Sequence, residues 1–109
     1  MRPKKTPKDC TPVPDWVFTS SRFSTGYDRM TFVALLSCAD ANGVCNPPVA
    51  QLAKMVKFST GTVARTLDRL EASALIARHP ASDEYGGRTS NVYRIALAAD
   101  EQVGEETQR

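Results

Sequence analysis

The chain has 109 residues, 41% hydrophobic and 24% charged, with a formal net charge of +2, ordinary values for one soluble globular domain. A core of ~70–80 residues suffices without disulfides or metals. No apolar run approaches the ~18 residues of a membrane span, and none follows the basic start as in a secretory signal, so a membrane protein is excluded and a cytoplasmic location expected.

Charge is unevenly divided. Residues 1–9 carry Arg2, Lys4, Lys5 and Lys8 against Asp9, net +3; residues 100–109 carry Asp100, Glu101, Glu105 and Glu106 against Arg109, net −3. The two ends cancel and hide a basic arm of the kind that seeks phosphate; a solvated terminus explains the same residues equally well. Cys10, Cys38 and Cys45 are odd in number and form no Cys-x-x-Cys pair. Even with His79 they lack the close ligand pairs of a zinc cage, so ordinary thiols and no metal are expected.

In chain order, residues 1–14 hold Pro3, Pro7, Pro12 and Pro14, which predicts an extended, disordered leader. Trp16, Phe18 and Phe23 are expected to anchor it to the globule. Thr25-x-x-Asp28 resembles a capping box and opens a helix over 25–39. Met30, Val33 and Ala34, together with Phe32, Leu35, Leu36 and Ala39, give it a wide apolar surface. Asp40-Ala41-Asn42-Gly43 and Pro47-Pro48 stop that helix, leaving room for a very short strand at Val44-Cys45. Val49, Leu52, Ala53 and Val56 place a helix at about 48–56. After a break at Lys57-Phe58, Ser59 caps a helix over 60–72 with the narrow stripe Val63, Leu67, Leu70. Strands are predicted at 75–79 and 91–97, the second turning Tyr93, Ile95 and Leu97 inward, around a loop at 80–90. The domain is bounded at 15–99, with an acidic, disordered tail after it.

Two short helices joined by a tight turn, the second polar outside its stripe, form a helix-turn-helix pattern. At 100° per residue from Val63, Gly61, Arg65 and Arg69 fall roughly opposite the stripe. Ser59, Thr60, Gly61 and Thr62 are small enough to let that helix end press into a major groove, their hydroxyls and amides reaching phosphate or base edges. Arg65 is placed to fork onto guanine and Arg69 to meet phosphate. A solvated helix face with an Arg65–Asp68 pair is the plainer alternative.

The run from Gln51 to Glu71, with Leu52-Ala53, the serine before the helix, Thr62-Val63, Arg65, Leu70-Glu71 and Leu75-Ile76, resembles the bacterial winged helix-turn-helix families. Pro14, the helix at 25–39, Ala39-Asp40-x-x-Gly43, Pro47 and Asn91-Val92-Tyr93-Arg94-Ile95 are similar to one subgroup, the helix-turn-helix domain of plasmid and phage replication initiators and mobile-element regulators. The resemblance covers roughly 13–97. It implies a mainly α fold with a small antiparallel β wing, and it makes 80–90 the wing, whose tip carries Arg88 and Thr89 toward phosphate or the minor groove. Arg78 beside it is a further candidate. Two positions commonly glycine in the family are Lys57 and Ala74; left-handed geometry at either would cost on the order of 1 kcal/mol. Lys57 instead offers a phosphate contact.

The expected function is sequence-specific binding of double-stranded DNA, as a transcriptional regulator or replication accessory factor of a plasmid, phage or other mobile element. A homodimer matches two-fold sites one helical turn apart. The DNA-binding set is Ser59, Thr60, Gly61, Thr62, Arg65, Arg69, Lys57, Arg78, Arg88, Thr89, Lys4, Lys5 and Lys8. Catalysis, a cofactor and a small-molecule ligand are not expected: His79 stands before Pro80 with no nucleophile motif, and Gly86-Gly87 reads as a turn. The competing reading is a winged-helix adaptor for protein–protein contact in a replication or partition complex, which would show apolar rather than basic patches.

Overall fold

Residues 11–79 and 91–103 are described by the computed structural model. Seven elements follow one another: α1 (Asp15–Thr19), α2 (Gly26–Cys38), β1 (Val44–Cys45), α3 (Val49–Val56), α4 (Thr60–Ala72), β2 (Ile76–His79) and β3 (Val92–Ile95). The helices α2, α3 and α4 and the short strand β1 agree closely with the expected bounds, because proline, Gly43 and the capping hydroxyls punctuate the chain where periodicity changes.

The small helix α1 is the one element the sequence does not announce. Pro14 precedes it, and Asp15 lies in its first turn, favourable for the helix dipole. Consecutive residues on a helix diverge by 100°, so the aromatics around Val17 cannot all face inward. Val17 is buried, and Trp16 packs on Phe23 (ring centroids 6.0 Å) and edge-on to Phe32 (5.6 Å). Phe18 is 64% exposed, which corrects its expected place among the anchors.

In α2, the Thr25 Oγ1 accepts the Asp28 amide (3.2 Å), as expected of a cap. The Asp28 carboxylate, however, does not reach back to the backbone. It accepts from the Thr25 hydroxyl (3.1 Å) and is buried together with Thr31, Phe32, Ala34 and Leu35. The inward face thus begins with two polar residues, and Met30, assigned to the apolar surface from the sequence, is exposed.

The three strands form one antiparallel sheet in the order β1-β3-β2. Gly43 makes the join possible. Its φ is +81°, and a Cβ there would stand 2.9 Å from the Ile95 carbonyl oxygen; its own carbonyl accepts the Ile95 amide at 2.8 Å. Tyr93 and Ile95 point inward as expected, but the alternation ends there. Ala96 is buried, with its amide on the Leu75 carbonyl (2.9 Å), and Leu97 is exposed rather than inward. The core lies between the helices and the sheet, built on Phe32, Leu35, Leu52, Val63, Leu67, Leu70, Leu75, Ile76, Tyr93 and Ile95. Each such apolar side chain contributes roughly 1.5–3 kcal/mol by burial.

Lys57 and Ala74 both adopt left-handed backbone, with φ of 67° and 60°. The turns therefore keep the geometry that glycine would favour. Lys57 donates its amide to Ala53 and ends α3; Ala74 donates to Glu71 and turns the chain from α4 toward β2. Closing these turns outweighs a strain on the order of 1 kcal/mol at each.

The ordered body continues past the expected boundary at 99. The Val103 side chain is buried and its amide bonds the Ala74 carbonyl at 2.9 Å. Arg22 holds this segment: Nη1 donates to the Ala99 and Glu101 carbonyls (2.8 Å each), and Nη2 to Ser73 and Ala74 (3.2 and 3.4 Å). Acidic composition suggested a solvated tail from 100. A single guanidinium joining four carbonyls and one buried valine is enough to dock its first residues. Among the described residues no helix is long and apolar enough to cross a membrane.

Candidate nucleic-acid interface

The inner side of α4 is defined by Val63, Thr66, Leu67 and Leu70, all buried, and α2, α3 and β2 pack around it. That leaves Thr60, Gly61, Ala64, Arg65 and Asp68 exposed on the outer side, with Thr62 at its margin. Ser59 caps the helix by accepting the Thr62 amide at 3.1 Å. Its hydroxyl then donates to Thr62 Oγ1 at 2.9 Å. Two of the hydroxyls expected to face a ligand are thus spent on each other, and the Thr62 hydroxyl proton remains to donate outward. Thr60 and Gly61 stand free at the helix start.

Arg65 has no ion-pair or hydrogen-bond partner among the described residues; the plainer alternative, a pair with Asp68, does not form. Its guanidinium lies back along the helix toward Gly61, where an added Cβ would find Nη1 at 3.7 Å. It is a cation held over the amino-terminal turn and open to solvent.

The other two candidate arginines of the described body are placed differently. Arg69, expected at phosphate, is engaged in a structural tie. Nε donates to both Asp28 carboxylate oxygens (3.0 and 3.3 Å), and Nη2 to Asp28 Oδ1 (2.7 Å) and Thr66 Oγ1 (3.1 Å). Asp28 is 3% exposed by side chain and Arg69 39%, so the carboxylate is the buried partner and the guanidinium covers it. The hydrogen bond to Asp28 raises the Arg69 pKa further, against burial. This pair fastens the first turn of α2 to the middle of α4. Arg78 likewise gives its charge to acids of α4, donating to Asp68 (2.6 Å) and Glu71 (2.6 and 3.0 Å). Its part at the surface is to neutralise those carboxylates.

Lys57 is exposed at the inter-helix turn, and Lys54, which the sequence reading passed over, is exposed one turn earlier. Between Asp40 and Asp68 the chain contains no acidic residue, while Lys54, Lys57 and Arg65 fall within that stretch. This signal is visible in the sequence once charge is counted over the helix-turn-helix alone rather than over whole segments. Arg88, Thr89, Lys4, Lys5 and Lys8, and the wing loop at 80–90, lie outside the described residues.

Cys45 is buried, and its thiol is pushed up to about 12, first by burial and then by the nearby Cys38 and Asp40. Among the described residues no three His, Cys, Asp or Glu side chains gather in a way that could hold a metal ion.

A helix-turn-helix made by α3 and α4, braced by α2 and joined to a small antiparallel sheet of β1, β3 and β2, defines the winged helix-turn-helix class. Residues 25–76, from the α2 cap to the first residue of β2, match a helix-turn-helix domain family. The family points to DNA binding. No curated protein and no solved structure matches this chain.

Proposed function

We propose that the protein binds double-stranded DNA in a sequence-specific way, laying the outer side of α4 into the major groove. The observation that carries this is the exposed face itself. Thr60, Gly61, Thr62 and an unpaired Arg65 lie in a stretch with three cations and no acid, while the acids that follow on α4, Asp68 and Glu71, are ion-paired with Arg78. Arg65 reads a guanine edge; Lys57, Lys54 and Thr60 meet phosphate on the flanks. Lys4, Lys5 and Lys8 add arm contacts to phosphate, and Arg88 and Thr89 contact the backbone or minor groove from the wing. The biological setting suggested by the resemblance is a regulator or replication accessory factor of a plasmid, phage or other mobile element.

The decisive test is a salt-dependent titration of a duplex selected from random DNA. Arg65→Ala is expected to weaken specific binding by about 1–3 kcal/mol and relax one base position. A folded variant that binds the selected duplex like the parent removes the groove assignment. Deleting residues 1–9 is expected to flatten the log–log salt slope by roughly two to four units, at about 0.9 per phosphate; an unchanged slope removes the arm.

A homodimer belongs to the same proposal, since one helix reads only a few base pairs. The exposed Phe18 on α1 and Met30 on α2 supply apolar surface on elements other than α4. The same exposed side chains favour the second reading, a winged-helix adaptor. Sedimentation with and without DNA separates the cases: a monomer in both states ends the dimer, and absence of duplex binding at low salt leaves the adaptor.

A further inference from the structure

Tyr27, in the first turn of α2, is large and aromatic yet 51% exposed. Its ring stands edge-on to Phe58, with centroids 4.9 Å apart and planes at 76°. Phe58 is partly buried and directly precedes Ser59, the cap of α4, so the pair lies at the end of α4 that carries Ser59 to Thr62. The next residue, Asp28, is clamped by Arg69 of α4. Tyr27 is therefore fixed relative to α4 from two sides, through its own ring and through the backbone beside it. The helix start beside it is uncrowded: a Cβ on neighbouring Gly26 would meet nothing within 4 Å. The Tyr27 hydroxyl makes no hydrogen bond to another described residue.

An exposed, rigidly held ring with an unused donor marks a contact surface rather than core. The charge around it identifies the partner. The adjoining turn carries Lys57, with Lys54 before it and Arg65 after it in sequence, and the carboxylate that follows Tyr27, Asp28, is buried under a guanidinium. A polyanion fits this surface.

From this we infer that Tyr27 is a further DNA contact, its hydroxyl donating to a backbone phosphate flanking the groove that α4 enters, with Phe58 as the positioning residue that holds the ring. The inference rests on the DNA-binding reading above. A neutral donor pre-oriented in this way adds affinity without releasing counterions, so it differs from the lysines and Arg65 in its dependence on salt.

The test compares the full chain with Tyr27→Phe, which keeps the ring and its contact with Phe58 and removes only the hydroxyl. Affinity for the selected duplex is expected to fall roughly two- to tenfold at every salt concentration, the log–log slope and the thermal midpoint remaining those of the parent. In ethylation interference, one phosphate that blocks binding by the parent should no longer matter to the variant. Phe58→Leu should lower affinity similarly by freeing the ring, and the same phosphate should lose its effect. Unchanged affinity of Tyr27→Phe, or a loss with an unaltered interference pattern, overturns the inference while leaving duplex binding by the parent in place. A parent chain that binds no duplex overturns the DNA-binding reading itself.

Discussion

Replacing Gly61 by alanine separates what the fold needs from what the surface does. Gly61 is exposed in the first turn of α4, and a Cβ there would meet only Arg65 Nη1 at 3.7 Å and Ser59 Oγ at 4.0 Å. Both are ordinary contacts, so nothing must move. Alanine restricts the unfolded chain and favours helix, worth about 0.5–1 kcal/mol. For a domain of this size the thermal midpoint should rise by roughly 2–8 °C. If α4 presses its amino-terminal turn against base pairs, the same methyl occupies space the DNA must enter. Affinity for the selected duplex should then fall about tenfold, or 1.4 kcal/mol. Thermal unfolding and a duplex titration on one preparation give both numbers. A variant that is more stable and binds unchanged would refute close approach of this turn to DNA, and a variant that is less stable would refute the open space around Gly61.

Removing the guanidinium in Arg69→Met leaves the Asp28 carboxylate buried with only the Thr25 hydroxyl; about 2–3 kcal/mol should be lost, below the ~3–5 kcal/mol of a fully buried pair because the Arg69 side chain is 39% exposed. Chemical denaturation checks this, and adding Asp28→Asn should recover part of the loss by removing the stranded charge. Ala74→Gly should relieve the strain at φ 60° and raise stability by about 0.5–1 kcal/mol, read as a higher denaturation midpoint with an unchanged m-value. Stability should also decline in alkali. Burial pushes the Cys45 thiol up to about 12 against an ordinary 9, and burial raises Tyr93 as well. The folded state keeps the thiol proton while the unfolded chain releases it. The Cys45 contribution is thus full below pH 9 and lost between 9 and about 12, at about 1.4 kcal/mol per pH unit. Denaturation midpoints across that range should fall more gently in Cys45→Ala.

Much of this protein could be read from its residues in order. Helix ends are local events: Thr25 and Ser59 cap with their own hydroxyls, Pro47-Pro48 forbids helix between α2 and α3, and the stripe Val63, Leu67, Leu70 turns α4 so that Gly61 and Arg65 face outward. Each needs only neighbours within a few positions, and the helix-turn-helix pattern follows from them. What the residues could not declare is which charges are already spent. Arg65 and Arg69 sit on the same polar side of α4 by angle, yet Arg69 meets a carboxylate 41 residues away in sequence, and Arg78 crosses from β2 to Asp68 and Glu71. Arg22 gathers carbonyls from Ser73 to Glu101, and the Tyr27–Phe58 contact joins α2 to the inter-helix turn. Periodicity assigns a side chain to a face of its own element. Whether that face finds an opposite charge, a ring or water depends on how elements distant in the chain meet, and that is decided only when the core between α2, α4 and the sheet closes.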